Sequence, residues 1–277
     1  YVDDQPTGRM TPDSIIVSAG SHVIQVQKNG YRSHEWSVDP TVETVSLLSH
    51  ELEILNRQLL EVFGNVSCAP CVLAAENLHT FENEISYDEF AILEYFASWP
   101  SPNDPFYKAA PQDVMQRVMY YNITALPAMM INGIISADSR FYDEILIQYT
   151  AAQELSAPAV GISVQKQMNS NMLVADVELY FPNGIENVAD YRLYVAVTED
   201  SIAFDSPPGT NGLTDFNFVF RGFASDRKGD ALELNGNTAI FHYEQDMGNW
   251  NVEALNVIAF LQNETTKQII QTGRTGD

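Results

Sequence analysis

The stretch QLLEVFGNVSCAPC, residues 58–71, decides the fold, because an apolar segment of strand length runs directly into two closely spaced cysteines. Cys68 and Cys71 are the only cysteines in the 277 residues. Apolar positions then recur at intervals of three to five as far as Glu84, which predicts an amphipathic helix. A cysteine pair at such a strand-to-helix junction places its first sulfur near a helix N-terminus, where a thiolate is stabilised.

This cysteine pair leaves three interpretations open: a redox dithiol, a structural disulfide or a relic. Two cysteines cannot form a four-thiolate zinc site within one chain, and no histidine pair has ligand spacing, so we expect no metal. A disulfide across so short a loop restricts the unfolded chain by only about 2 kcal/mol, which favours redox use over a permanent bridge. No glycine-rich phosphate loop is present, and we expect no cofactor.

Charge narrows the class of partner. The formal net charge of −23 repels phosphate backbones and anionic lipid surfaces, which argues against nucleic acid as a partner. No apolar run reaches the roughly 18–20 residues that cross a bilayer, so we expect no transmembrane segment in this chain. The remaining expectation is a protein partner, or a protein thiol or disulfide as substrate.

Residues 1–48 predict a small all-β module, because alternating residues are punctuated by Gly and Pro. The expected strands are Ser14–Val17, His22–Gln27, Ser33–Val38 and Val42–Leu47. The module resembles the PEGA domain of bacterial envelope proteins. The resemblance rests on Tyr1–Gly8, Thr11-Pro12, Ala19–His22 and Gly30-Tyr31. It implies scaffolding in the envelope rather than catalysis.

Residues 49–155 continue after the first helix with a buried strand at Phe90–Phe96 and an acidic loop at Ser98–Lys108, expected to be solvated. A helix beginning at Pro111 follows, then a β-hairpin turning at Asn132-Gly133. A last helix completes the segment, and Asp138 and Ser139 offer its N-cap oxygens.

This order of elements resembles the thioredoxin fold, and Ile123–Pro127 resembles its cis-proline loop. The resemblance implies that Cys68 attacks a disulfide as the nucleophile, that Cys71 resolves the mixed disulfide, and that Pro127 lies beside the pair. Leu126 would then help to shape the substrate groove.

In the same resemblance, Ala69 and Pro70 form the turn between the sulfurs and border the groove. The sequence departs from the family pattern at two positions. Ser67 stands where thioredoxins usually have Trp, and Glu61 lies one residue further from the cysteine than the family's buried acid.

Residues 156–277 contain a series of extended segments separated by Asn-, Pro- and Gly-rich turns, which predicts an antiparallel β-sandwich. The expected strands are Gly161–Gln167, Met172–Phe181, Tyr191–Thr198, Phe216–Phe220, Thr238–Tyr243, Val252–Gln262 and Gln268–Thr272.

The second and third segments together resemble the outer-membrane-protein-28 type family of Bacteroidetes-like bacteria. The residues that carry this are Glu61–Cys71, Asp104–Tyr107, Arg117–Pro127, Asn132-Gly133, Leu193–Ile202 and Asn256–Lys267. The resemblance implies export to the periplasm or the outer-membrane surface as a lipoprotein, with a signal peptide and lipid anchor upstream of Tyr1. A single C-x-x-C without other thiols suits an oxidising compartment, since it avoids mispairing.

We therefore predict a multidomain α+β protein with a PEGA-like module at 1–48, a thioredoxin-like domain at 49–155 and a β-sandwich at 156–277. The predicted function is extracytoplasmic thiol–disulfide exchange through Cys68 and Cys71. The alternative is a non-catalytic structural or binding subunit of an envelope assembly that uses the thioredoxin fold as a scaffold. This alternative predicts a buried or permanently oxidised pair and an occluded face at Pro127.

Overall fold

The computed structural model describes residues 1–28, 30–155, 160–169 and 171–276. They form a mixed α+β fold, as predicted, in two compact units, Tyr1–Leu55 and Asn56–Asp277. The predicted boundary after Leu155 falls at 156–159, outside the described residues. Below, the central segment is 56–155 and the C-terminal segment is 160–276.

The first unit contains an antiparallel pair of strands, β1 (His22–Val26) and β2 (His34–Val38). The other two strands predicted there do not form. A strand needs a hydrogen-bonded neighbour, and among the described residues Ser14–Val17 and Val42–Leu47 have none. Their apolar side chains point to solvent, with Ile16 99% and Val45 98% exposed.

The second unit contains the helices, separated by strands that mostly match the prediction. Its helices are α1 (Cys71–Glu84), α2 (Pro105–Ala109), α3 (Pro111–Tyr121) and α4 (Tyr142–Gln153). Its strands are β3 (Gln58–Gly64), β4 (Phe90–Phe96), β5 (Ala128–Ile131), β6 (Ile135–Ala137), β7 (Gly161–Asn169), β8 (Met172–Tyr180), β9 (Tyr191–Glu199), β10 (Ile202–Ala203), β11 (Asp215–Phe216), β12 (Val219–Phe223), β13 (Asp230–Ala231), β14 (Thr238–Asp246), β15 (Leu255–Asn263) and β16 (Ile269–Arg274).

Within the second unit, the predicted cap of the last helix and one predicted strand are wrong. Helix α4 begins three residues after Ser139 without a side-chain cap, because the Asp138 carboxylate instead binds Arg140 at 2.8 and 2.5 Å. The strand expected at Phe216–Phe220 is broken at Phe218, whose φ of 57° is incompatible with an extended chain. The break sends β11 into a small hairpin and β12 into the main sheet.

The main sheet joins the central and C-terminal segments. Its strand order is β16-β15-β9-β12-β4-β3-β5-β6. Strand β12 pairs in parallel with β4 and antiparallel with β9, so it covers the edge that β4 would otherwise expose. The two segments predicted as separate domains therefore share one sheet within one compact unit.

A second layer covers the C-terminal half of this sheet. Strands β14, β8 and β7 form an antiparallel sheet, and alternate residues of β8 are buried. These buried residues pack against β9 and β15 in one apolar core, with side chains interleaved as in a sandwich.

Two different apolar cores cover the two faces of β3 and β4. Leu60 and Val62 face the core that contains Phe81 of α1, whereas Leu59 and Phe63 face the core that contains α3. Because side chains alternate along a strand, Glu61 lies on the α3 face, away from α1.

Glu61 is completely buried and forms an ion pair with the equally buried Arg117 of α3. Arg117 Nε donates to Glu61 Oε1 at 2.9 Å and Nη2 donates to Oε2 at 2.8 Å, a two-point contact. The hydroxyls of Tyr95 and Tyr121 donate to the same carboxylate at 3.1 and 2.5 Å. The carboxylate's charge is therefore compensated from several sides.

The same arginine reaches the C-terminal segment. Its Nη1 donates to Gln262 Oε1 of β15 at 2.9 Å, and its guanidinium lies over the rings of Tyr194 and Phe260 at 5.1 and 5.4 Å. Burial is the largest single effect and lowers the pKa of Arg117, but the combined attraction of Glu61 and of Tyr121, Tyr95 and Tyr194 outweighs it, so the pKa is raised. The Glu61–Arg117 pair thus links α3 to β3 of the central segment and to β15 of the C-terminal segment.

Replacing Arg117 by Met should strongly destabilise the protein, because it leaves the Glu61 charge buried without a partner. We expect the free energy of unfolding in urea to fall by about 3–5 kcal/mol. Arg140→Met, which removes an exposed ion pair with Asp138, is the control and should cost at most about 1 kcal/mol.

The double variant Glu61→Gln/Arg117→Met should recover part of the loss, because the orphaned charge is then removed as well. Equal costs for Arg117→Met and Arg140→Met would contradict this account of the network.

Candidate functional site

Cys68 and Cys71 form a disulfide, with an Sγ–Sγ distance of 2.05 Å. Cys68 lies in a turn just before α1: its N–H donates to Asn65 O at 2.9 Å, and its carbonyl accepts from Cys71 N–H at 3.2 Å. Helix α1 begins at Cys71, so the first sulfur precedes the helix instead of lying in its first turn. Both cysteines are buried, with exposures of 4% and 7%.

The side chain of Asn65 stabilises the turn that carries Cys68 with three hydrogen bonds. Its Nδ2 donates to the carbonyls of Ala97 and Ser101 at 2.8 and 2.9 Å, while its Oδ1 accepts from Ser67 N–H at 2.8 Å. Asn65 is itself buried. The amide therefore ties the turn to the end of β4 and to the loop after it.

Asp104 makes the second attachment. Its carboxylate accepts the N–H of Val66 at 2.8 Å and caps α2 by accepting the N–H groups of Phe106 and Tyr107 at 2.8 and 3.2 Å. The expectation of a solvated loop is wrong at this residue, which is fully buried. Burial raises the pKa of Asp104, although the three backbone donors oppose the shift.

Glu94 is the acidic side chain next to the disulfide. It is half-buried on β4, opposite Val62 of β3, on the face that α1 covers. A Cβ built on Gly64 would lie 3.6 Å from Glu94 Oε1 and 3.8 Å from Cys71 Sγ. The carboxyl group and the sulfur therefore border the same small space, which exists because residue 64 has no side chain.

Burial, reinforced by repulsion from Asp104, raises the pKa of Glu94 to about 8. Within the described residues, its carboxylate has no hydrogen-bond or ion-pair partner. Glu94 is therefore largely protonated at neutral pH. Its pKa is close to the ordinary value of about 8.5 for a cysteine thiol.

Glu61, the acidic residue that the sequence places nearest before the cysteines, does not share this position. Glu61 precedes the cysteines on β3, but it faces α3 and binds Arg117. Glu94 comes after the helix, in an otherwise apolar strand, FAILEYF. That isolated charge was the available signal, but its position beside Cys71 depends on the pairing of β4 with β3, which the sequence does not specify.

Pro127 lies near the same end of β3. The Leu126–Pro127 peptide bond is cis, and the next residue, Ala128, pairs with Phe63, one residue before Gly64. Pro127 and Leu126 are half-buried, whereas Ala69 and Pro70 are exposed. The roles of these residues remain predictions.

Among the residues that the structure describes, no group of three or more His, Cys, Asp or Glu could hold a metal ion. No helix within those ranges has the length and apolar character to cross a membrane.

Comparison with known proteins identifies the family. Residues 114–275, more than half of the chain, match the family model described as outer membrane protein Omp28. The match includes Arg117, Pro127 and Gln262 but begins after the cysteine pair, so it covers neither Glu61–Cys71 nor Asp104–Tyr107. No curated protein matches.

One solved structure shares this fold. The structure of HBP35 of Porphyromonas gingivalis is 16% identical, with a TM-score of 0.62, and covers 79% of this chain and 74% of its own. A domain of the outer membrane lipoprotein Omp28 from the same organism is 14% identical with a TM-score of 0.31, covering 43% and 90%. The second score is too low to support an argument.

The fold and the site define a mixed α+β protein in which a buried C-x-x-C disulfide follows the end of β3, an interior strand of a long sheet. The chain belongs to the outer membrane protein Omp28 family.

The raised pKa of Glu94 predicts a specific dependence of stability on pH. Between its ordinary value of 4.5 and about 8, the folded protein holds a proton that the unfolded chain has lost, so this group makes folding less favourable as pH rises. Glu94→Gln removes that cost. In urea unfolding, the variant should match wild type near pH 4 and exceed it by the order of a few kcal/mol near pH 8.

The matched control is Glu178→Gln, on the exposed face of β8. Its difference from wild type should be small at every pH. A Glu94→Gln difference that does not grow between about pH 5 and pH 8 would show that Glu94 titrates normally.

Proposed function

We propose that this protein exchanges thiols and disulfides in the bacterial cell envelope through Cys68 and Cys71, with residues 56–155 serving as a thioredoxin-like module. The observation that carries the proposal is that the half-buried Glu94 carboxyl and Cys71 Sγ border one small space at the end of β3, where Ala128, the residue after Pro127, pairs with Phe63. A protein thiol or disulfide is the proposed substrate. Membership of the Omp28 family supports the envelope location.

In the reducing direction, the reduced protein begins as a dithiol. The Cys68 thiolate attacks one sulfur of the substrate disulfide; an Sγ–S bond forms, the substrate S–S bond breaks, and the other substrate sulfur leaves as a thiolate. Cys71 then attacks Cys68 Sγ, forms the intramolecular disulfide and releases the second substrate thiolate. The substrate gains two electrons and the cysteine pair loses two, so a thiol reductant must recharge the protein. The oxidising direction is the reverse.

The second step needs a thiolate at Cys71, and Glu94 is the proposed proton acceptor. Only the ionised fraction of Glu94 can take the thiol proton, and because its pKa of about 8 lies near that of a thiol, this carboxylate is a stronger base than that of an ordinary glutamate. The proton then leaves for solvent or for the departing substrate thiolate. Leu126 and Pro127 are proposed to shape the groove in which the substrate lies, and Ala69 and Pro70 border it.

A second candidate function is a non-catalytic subunit that binds other envelope proteins. The burial of both sulfurs favours it, as does a family match that begins after Cys71. In this case the disulfide would be permanent. The half-exposed Pro127 and the exposed Ala69 and Pro70 favour the exchange function, because a scaffold has no need of an accessible groove there.

Substitution of the cysteines separates these functions. With dithiothreitol as the reductant, wild type should accelerate the reduction of insulin, and Cys68→Ser should abolish the acceleration because the nucleophile is lost. Cys71→Ser should accumulate a mixed disulfide through Cys68, visible on non-reducing gels. Wild-type turnover no faster than that of Cys68→Ser, with a pair that stays oxidised at strongly reducing potentials, would support the scaffold function instead.

The role of Glu94 is tested on the resolving step alone. Cys68 is loaded as a mixed disulfide with 5-thio-2-nitrobenzoate, and release of the coloured thiol reports the attack by Cys71. Near pH 7, Glu94→Gln should slow this release by about tenfold or more. Above pH 9 the difference should shrink, because solvent then deprotonates Cys71 in both proteins. Glu178→Gln should behave as wild type, and a Glu94→Gln rate reduced equally at all pH values would indicate a purely structural effect.

A further inference from the structure

The β10–β11 hairpin, Ile202–Phe216, packs against the turn that leads into Cys68. It belongs to the C-terminal segment and leaves the main sheet where Phe218 breaks the strand. Its apolar side chains join a small core with residues of the central segment. The hairpin side of this core consists of Ile202, Phe204, Leu213 and Phe216, and the other members are Val66, Phe96, Phe106 and Val219.

The tip of the hairpin is hydrogen-bonded to the same turn. The backbone N–H of Asn211 donates to Val66 O at 3.1 Å, and the N–H of Thr210 donates to Ser67 Oγ at 3.3 Å. The Asn211 side chain adds a long bond to Asn65 O at 3.5 Å. The hairpin thus contacts all three residues before Cys68.

Gly209 makes this contact possible. A Cβ at this position would lie 2.1 Å from Val66 O and 2.5 Å from Val66 C, distances at which backbone atoms would have to move. Its φ is not in the left-handed region, so the requirement for glycine comes from close approach alone. Any larger residue would push the hairpin away from the turn.

We infer that the hairpin is a gate that closes one side of the disulfide, and that Gly209 sets how tightly it closes. The inference rests on the proposed function. With the hairpin in place against residues 65–67, Cys68 is buried, whereas Pro127 is half-exposed. A substrate then reaches Cys68 from the Pro127 side, or when the hairpin is displaced.

The hairpin is built to move locally. Its strands pair over only two residues each, and the loop residues Asp205, Ser206, Pro207 and Thr210 are exposed. Segments with few backbone hydrogen bonds and exposed tips open at free energies well below that of global unfolding. The bonds to the Cys68 turn are few enough to break without disturbing the main sheet.

The test measures chemical access to the disulfide in the folded chain. Reduction by dithiothreitol is followed by alkylation and mass spectrometry in wild type, Gly209→Ala and Thr210→Ala. Gly209→Ala should be reduced about fivefold faster or more, because its Cβ holds the gate open. Thr210→Ala is the matched control, since the Thr210 contact uses only the backbone N–H, and it should stay within about twofold of wild type. Equal rates for wild type and Gly209→Ala would overturn the gate.

A measurement on wild type alone keeps the inference testable if Gly209→Ala does not fold. The second-order rate constant for reduction of the native protein is compared with that in concentrated urea. A native constant lower by at least about tenfold supports the gate, and constants equal within about threefold would overturn it, because the disulfide would already be open.

The gate and the exchange function can fail separately. Faster reduction of Gly209→Ala without insulin turnover in any variant would support the gate and reject the exchange function. Insulin turnover that requires Cys68, together with unchanged reduction of Gly209→Ala, would reject the gate alone.

Discussion

The rest of the second unit depends on the buried ion pair between Glu61 and Arg117. A carboxylate and a guanidinium that lose their water must find their compensation within the protein, and here they find it in each other, in two tyrosine hydroxyls and in Gln262. Since these partners lie on β3, β4, α3 and β15, the electrostatic requirement holds elements distant in sequence in one arrangement.

The same arrangement governs the surroundings of the disulfide. Because Glu61 faces α3, the next residue, Val62, faces α1. Glu94 lies opposite Val62 on the neighbouring strand β4. Gly64 leaves the space that the Glu94 carboxyl and Cys71 Sγ both border. The acidic character of the site follows from Glu94 and Asp104, whose mutual repulsion adds to the effect of burial and keeps Glu94 protonated at neutral pH.

The C-terminal segment takes part in the site as well. It supplies β12, which pairs with β4 directly at Glu94, and the hairpin that contacts the turn before Cys68. The turn between β5 and β6 shows the same dependence: a Cβ at Gly133 would lie 2.2 Å from Lys267 O, so the glycine serves both a left-handed turn and a close contact with the segment after β15. The turn before Cys68, although outside the family match, is thus contacted by residues that lie within it.

Local signals predicted much of the second unit correctly. The apolar strands β3 and β4, the helix after the cysteines, the proline-led α3 and the Asn132-Gly133 turn all follow from periodicity and turn chemistry within a few residues of the chain. The wrong predictions concern features that depend on which partner a residue or segment finds in the folded chain. Ser14–Val17 and Val42–Leu47 have strand-like patterns but no neighbouring strand among the described residues, and the Asp138 carboxylate bound Arg140 instead of capping α4.

The sequence by itself determined that two cysteines stand between a strand and a helix, and which segments are extended or helical, because these properties depend on neighbours along the chain. The tertiary structure alone decided that both segments share one sheet, that Glu61 binds Arg117, and that Glu94 lies near Cys71. It also decided that the β10–β11 hairpin approaches the turn before Cys68. Contacts between residues far apart in sequence decide which strands pair and in which register. A register shift of one residue would turn every side chain of a strand to the opposite face, and no local pattern encodes that choice.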